Sequence, residues 1–246
     1  MKEKTKKEIV KFLVYFARAN IPMVPAEDIR RAYPFHTLFF DDDGLRAFKV
    51  QRSLVTKMGQ QLYPKIAELV AKDRFNIVHR DHQITGKIEE NKAHTIERII
   101  TDLRQGRREP DFEAEMREVG AARGGRMVER SVIADLYVED FDPGPLFLEI
   151  KSPRPNLDVC AESKKKMLYF RALYADKNPQ AYLAFPYNPF IRREDYGHGP
   201  TRRIMDLERE VLIGEEMWDL LGGERTYEEI LSLIEEAKRK LGKYDS

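Results

Sequence analysis

A single cysteine, Cys160, stands in 246 residues, which excludes an intramolecular disulfide and any cysteine-rich zinc site. Long apolar runs are missing too, and none approaches the roughly 20 residues needed to cross a bilayer. The opening MKEKTKKEIVKFLVYFARAN has neither a long apolar core nor a small-residue cleavage site. It reads as an amphipathic helix, and a cytoplasmic, reducing setting without membrane contact is expected. No charge sign dominates: 43 Lys and Arg face 42 Asp and Glu, a net charge of +1. A generally basic coat is therefore excluded, and any surface for a polyanion has to be segregated. No repeat of useful period is present, and Asn and Gln are sparse beside Glu, Lys and Arg, a composition that suits a thermophile. What is plentiful is apolar content, 42% beside 35% charged residues, enough for a full core and against disorder.

Residues 1 to 110 read as mainly helical, with stripes at Ile9, Leu13 and Phe16, at Val50, Leu54 and Leu62, and at Ile96, Ile99, Ile100 and Leu103. Breaks are expected at Pro22, Pro34 and Pro64. The polar stretch Arg104 to Arg130, with Gly120, Gly124 and Gly125, reads as a loop-rich connection. From Ser131 the period changes to two: Val132, Ala134, Leu136 and Val138 alternate with Ile133, Asp135 and Tyr137. After a turn at Asp142-Pro143-Gly144-Pro145 a second alternating run, Leu146 to Lys151, ends at Pro153, so a hairpin is expected. Asp158 is placed to cap a helix to about Tyr174, and Gln180 to Phe185 reads as a third strand. Beyond a Pro- and Gly-rich loop from Pro186 to Pro200, two helices are expected, the last opened by a capping box of Thr226 and Glu229. The fold class is α/β, a mixed sheet flanked by helices with a largely helical N-terminal part. One domain over 1–246 is expected, divided into a helical part (1–110), a core (111–190) and a loop with C-terminal helices (191–246).

In the hairpin, Glu149 and Lys151 share one face while Leu146, Leu148 and Ile150 share the other. An odd-length turn brings Asp135 to the same surface as Glu149 and Lys151. Charges in such apolar strands are costly without a compensating partner. Mg²⁺ suits two carboxylates, because it takes hard oxygen ligands and keeps waters and phosphate oxygens around it. Lys151 beside it would orient an attacking water and balance charge at phosphorus. The same short pattern also arises from surface pairs worth about 0.2–1 kcal/mol each.

The segments VIADLYVED, FLEIKSPRPNLDVCAESKKKMLYFRAL and AYLAFPYNPF resemble the PD-(D/E)XK nuclease core of the TdeIII/MjaII type II restriction endonucleases. QRSLVTKMGQQLYPKIAELVA upstream and LEREVLIGEEMWDLLGG downstream are similar to that family as well, and Ala134 stands where the motif usually has proline. The resemblance implies a central sheet of PD-(D/E)XK type and Mg²⁺ held by Asp135 and Glu149, with the Ile150 carbonyl and a further acid, Glu97, as additional ligands. It implies a homodimer that cuts double-stranded DNA at a short near-palindromic site, GGNCC being characteristic of the family, with a cognate methyltransferase protecting host DNA. Phosphate contacts are expected from Arg154, Lys164 and Lys165. The loop YNPFIRREDYGHGPTRR gathers Asn188, Arg192, Arg193, His198, Arg202 and Arg203 as candidate base readers, against the alternative of a surface loop paired internally with Glu194 and Asp195. A structure-selective nuclease such as a junction resolvase, or a DNA-binding module without catalysis, are the competing functions. Other signals fail: Asp41-Asp42-Asp43-Gly44 lacks the ligand pattern of a calcium loop, and His79 and His82 lack zinc spacing. Neither Cys160 nor Ser152 or Ser163 sits in a nucleophile motif.

Overall fold

The period-two segments become strands of one sheet in the computed structural model, which describes residues 1–20 and 25–242. The expected break at Pro22 lies outside the described residues. In chain order come α1 (Glu3–Ala19), α2 (Ala26–Ala32), a 3₁₀ turn (Pro34–Leu38), α3 (Asp42–Lys57), a π-helical turn (Met58–Leu62) and α4 (Tyr63–Ala71). Then follow β1 (Val78–Glu89), α5 (Glu90–Gln105), α6 (Phe112–Ala121), β2 (Met127–Val138), β3 (Leu146–Ile150), α7 (Leu157–Leu173) and β4 (Gln180–Phe185). The chain closes with α8 (Gly199–Ile204), α9 (Leu207–Glu210), β5 (Val211–Ile213), α10 (Glu215–Gly222) and α11 (Thr226–Lys240). The sheet order is β1-β2-β3-β4-β5. The β1–β2 and β2–β3 pairs are antiparallel, whereas β3–β4 and β4–β5 are parallel. This is the mixed sheet flanked by helices that the alternation predicts.

Helices cover both faces, so each face buries its own core. On one, Ile96, Ile99 and Leu103 of α5 meet Phe147 and the Phe170 of α7; on the other, Ile9, Ile66 and Val70 meet Leu136, Leu148, Trp218 and Ile230. The α5 stripe has the three- and four-residue spacing of one helical face, and the helix stops at Gly106, whose φ of 68° is the left-handed cap that glycine tolerates. The short arm of α2, the 3₁₀ turn and α3 has a small core of its own, Ala26, Ile29 and Leu45, which belongs to neither cluster.

Four expectations need correction. Residues 78–89 are not helical: they form β1, a strand that pairs with β2 over most of its length. Arg104 to Arg130 is not mostly loop, because Asp111 caps α6 by accepting from the Ala114 amide and β2 already begins at Met127. The residue capping α7 is Asn156, which accepts from the Val159 amide at 2.8 Å, while Asp158 lies inside the first turn and pairs with Arg104. After Pro200 the chain forms α8, α9, β5, α10 and α11 instead of two helices, and α11 has no capping box. Its N-cap is Arg225, and Glu229 instead receives the Met1 ammonium at 2.9 Å and Lys6 at 3.5 Å.

Candidate active site

Backbone pairing between β2 and β3 runs Val138 with Leu146, Tyr137 with Phe147, and Leu136 with Leu148, then stops. The next rung would join Asp135 to Glu149. There the Asp135 side chain takes over from the ladder, its Oδ2 accepting the Ile150 amide at 2.7 Å. Lys151 follows at the end of β3, anchored by its own amide to the Ala184 carbonyl of β4 at 3.0 Å. Its Nζ lies 2.7 Å from Asp135 Oδ2 and 2.9 Å from Glu149 Oε1. Lys151 therefore bridges the two carboxylates expected to share its face.

A fourth group joins them. Lys166 of α7 donates to Glu149 Oε1 at 2.9 Å. Among Lys164, Lys165 and Lys166, sequence reasoning favoured the first two. The phase of α7 was unreadable because the helix is buried on most sides, from Cys160 and Ala161 through Ser163 and Lys164 to Arg171. Knowing that α7 lies across β3 supplies the missing phase.

Glu149 is only 2% exposed, and its Oε2 is buried without a hydrogen-bond partner. An orphaned carboxylate oxygen in such a place calls for a compensating charge or donor. Burial and the neighbouring Glu149 push the Asp135 carboxyl above its ordinary value, against the pull of Lys151. Burial works against the charge on Lys151, yet Glu149 and Asp135 outweigh it and hold the amine above its ordinary range. Two adjacent carboxylates, one with a free buried oxygen, fit a small hard dication that takes one or two carboxylates and otherwise water and phosphate oxygens. Among the described residues no group of three or more His, Cys, Asp or Glu forms a larger metal cluster. Glu97 is exposed on α5, where it accepts the Tyr169 hydroxyl at 2.9 Å and stands 3.9 Å from Lys165.

Beside the triad opens a cleft of about 420 Å³ lined by Arg130, Ser131, Lys165, Lys166, Tyr169 and Glu97, among others. Lys166 both lines the cleft and contacts Glu149, so it stands between the cleft and the triad. Lys165 faces this cleft, paired to Glu162 at 3.2 Å.

Lys164 is not a phosphate contact. It is fully buried and paired with the buried carboxylates of Glu115 and Glu210, so it ties α6, α7 and α9 together. Arg154 is exposed on the turn after Lys151, with its guanidinium 5.0 Å from the Phe190 ring centroid. Within the 186–200 loop, Asn188 spans its own turn, accepting from the Phe190 amide and donating to the Arg192 carbonyl, both at 2.9 Å. Arg192 makes a two-pronged pair with Asp195 at 2.7 and 3.0 Å, and Arg193 reaches Glu216 at 2.9 Å. Arg203 donates to the Arg104 carbonyl at 2.8 Å, while Arg202 is exposed. His198 Nδ1 meets Thr201 Oγ1 at 2.9 Å. The internal pairing weighed against base reading is thus present at Arg192, although Arg154, Arg192, Arg202 and Arg203 are all exposed.

Tyr196, interspersed among the loop's arginines, has an anchoring contact that the sequence does not report. Its buried hydroxyl donates to the Pro153 carbonyl at 2.6 Å, and its ring stacks on Phe185. The loop is thereby pinned to the turn that follows Lys151. Its aromatic surroundings at Phe185 and Phe190 are visible only once β4 and the loop are brought together.

A carboxylate from one strand, a carboxylate and a lysine two residues apart on the next, and a helix packed across them form the arrangement that the PD-(D/E)XK resemblance implies. The particular family follows from comparison: "Type II restriction endonuclease, HinfI" matches residues 1–238, and the chain belongs to it. It is 28% identical over 212 residues to the type II restriction enzyme HgiEI of Herpetosiphon aurantiacus, covering 82% of this chain and 76% of the relative. It is 30% identical over 209 residues to HgiCII of the same organism, with the same coverage. The type II restriction enzyme MjaII of Methanocaldococcus jannaschii is 28% identical over 249 residues, covering 88% of this chain and 66% of that one. No solved structure matches the chain. Among the described residues no helix is long and apolar enough to cross a membrane.

Proposed function

We propose that this type II restriction endonuclease cuts both strands of DNA at a short near-palindromic site by Mg²⁺-assisted hydrolysis, leaving 5′-phosphate and 3′-hydroxyl ends. The observation that carries the reading is the buried, unpartnered Glu149 Oε2 beside Asp135, with Lys151 bridging both carboxylates. Asp135 and Glu149 would hold the metal, joined by the Ile150 carbonyl. Bound there, Mg²⁺ would supply Lewis-acid polarisation of the scissile phosphate and a more acidic water. Lys151, kept cationic by its two carboxylates, orients the attacking water and offsets charge gathering on the phosphate oxygens. Lys166 fixes Glu149 in rotamer through its 2.9 Å contact. Arg130, Lys165 and Lys166 lead the DNA backbone along the adjoining cleft.

Two copies related by a two-fold axis present one such centre to each strand of a symmetric site. GGNCC is the sequence the family resemblance implies, and a cognate methyltransferase protects the host's own copies. The test is digestion of a sequenced plasmid with Mg²⁺, followed by end mapping. Discrete fragments with common end sequences are expected, lost in Lys151→Ala and Asp135→Asn. Cutting restricted to branched DNA, or undiminished cutting by either variant, would overturn the proposal.

A further inference from the structure

The ladder between β1 and β2 lacks one rung, and it is the rung at Asp135. Partners run from Val78 with Val138 to Arg80 with Leu136, then resume in the same register at His82 with Ala134. The two residues passed over are Asp81 and Asp135. Asp81 has a φ of 49°, a left-handed conformation that takes a residue out of the pleat and that aspartate tolerates better than most side chains.

Both strands change phase at this rung. On β2, Val132 and Ala134 enter the core shared with α5 and α7, whereas Leu136 and Val138, which continue the same period of two, enter the opposite core. β1 behaves alike, with Ile84 and Ile88 in the first core and Val78 in the second. Residues three apart on an unbroken strand face opposite sides. His79 and His82 nevertheless stack on each other at 4.9 Å, and His82 stacks on Tyr137 at 4.6 Å, so the switch has brought them to one face.

The switch accounts for the reach of Asp135. An ordinary strand side chain stands roughly perpendicular to its sheet and is badly placed to meet the amide of a neighbouring strand. Asp135 lies between residues that face opposite ways, which leaves its own side chain near the plane of the sheet. From there Oδ2 takes the Ile150 amide of β3 and the Lys151 ammonium, both at 2.7 Å. We infer that Asp81 is a positioning residue for Asp135: its left-handed backbone, and not its charge, holds the opposite carboxylate in the sheet plane. The Asp81 carboxylate is itself exposed and lies 3.4 Å from Arg80. The inference deepens the proposed reaction and rests on it for the catalytic purpose of Asp135.

Three substitutions separate backbone from charge. In Asp81→Val a β-branched residue disfavours the left-handed conformation by about ten-fold. Asp81→Gly and Asp81→Asn keep that conformation accessible and remove the charge. Amide hydrogen exchange in the free protein reads the position of Asp135, because the Ile150 amide donates to it while the adjacent Lys151 amide donates to the Ala184 carbonyl. In Asp81→Val, exchange at Ile150 should rise about ten-fold relative to Lys151. The single-turnover cleavage rate should fall by a similar factor, with metal-free DNA affinity unchanged. Asp81→Gly and Asp81→Asn should recover both the exchange ratio and the rate. An unchanged exchange ratio in Asp81→Val overturns the inference even if stability falls, since the switch then persists without the aspartate. A loosened Ile150 amide with undiminished cleavage overturns it as well, and so does an equal loss in all three variants, which assigns the effect to charge. A wild type that never cuts DNA, with Ile150 still loosened by valine alone, sinks the proposed activity and leaves the positioning standing.

Discussion

Replacing Lys164 with methionine isolates the cost of a buried charge in this fold. Lys164, Glu115 and Glu210 are all fully buried, and the lysine is the cation shared by both carboxylates. Removing it leaves two acids facing each other without that compensation. Breaking a buried pair from one side costs about 3–5 kcal/mol, which for a chain of this length lowers Tm by roughly 6–20 °C. The loss has a definite pH dependence. Burial already pushes the Glu115 carboxyl above its ordinary 4.5, with Lys164 opposing the rise and Glu210 adding to it. Without the lysine the rise grows, so the folded state keeps a proton that the unfolded state releases. The stability of Lys164→Met therefore falls as pH rises from 4.5 through the folded value, and the gap to wild type is smallest in acid. Urea melts of both proteins between pH 4.5 and 8 measure this. The triple variant Glu115→Gln, Lys164→Met, Glu210→Gln should recover much of the loss, because no buried charge is then left exposed to repulsion. The salt dependence of DNA binding should stay unchanged, whereas a lost phosphate contact would reduce the slope by about 0.9. A destabilisation below about 1 kcal/mol, or one independent of pH, would refute the reasoning.

Other outcomes follow from single contacts. Lys166→Met, which removes the 2.9 Å contact to Glu149, should slow cleavage by roughly ten- to a hundred-fold while Lys165→Met changes it little; single-turnover rates of the two variants decide. Tyr196→Phe keeps the ring on Phe185 and removes the hydroxyl from the Pro153 carbonyl, so about a five- to ten-fold slower cut at saturating DNA is expected, with affinity unchanged. An equal fall in affinity would show that the hydroxyl merely supports the loop. Hydrogen bonding to Arg108 holds the Glu118 carboxyl below its ordinary 4.5, so its stabilisation is complete above that value and is lost as pH falls through the folded one. Arg108→Gln should flatten that acid limb, as followed by Tm between pH 2 and 6.

The strands nearest the site were the easiest to read. Gln180 to Phe185 is β4 residue for residue, and Lys151 bridges Asp135 and Glu149 as expected, yet Val132 and Ala134 pack into one core and Leu136 and Val138 into the other, so the alternation does not run unbroken through Asp135. β1 hid because its buried residues are Val78, Ile84 and Ile88, and the four-residue spacing of the last two fits a helix as well as a strand. α6 was obscured by a polar sequence in which Glu115 is buried against a lysine 49 positions away, a pairing no local pattern reports. The same remoteness hid the fate of Lys164 and the opportunity of Lys166. On a helix enclosed by several neighbours, which lysine meets the catalytic strand and which meets a buried acid depends on packing and not on periodicity. Thr226 and Glu229 satisfy the capping-box spacing, yet the N-terminus of the chain claims Glu229 first.

At Asp135 one carboxylate is both the end of a β ladder and half of the pair proposed to hold the metal. The Ile150 amide has no strand carbonyl opposite it and depends on that side chain. Truncation to alanine removes the acceptor along with the charge, so a lineage that stopped cutting DNA could not discard this residue freely. Asparagine retains an oxygen for the amide while giving up the anion. It is therefore the substitution by which such an enzyme could fall silent without loosening, and the one to choose when an inert but intact protein is wanted on uncut DNA.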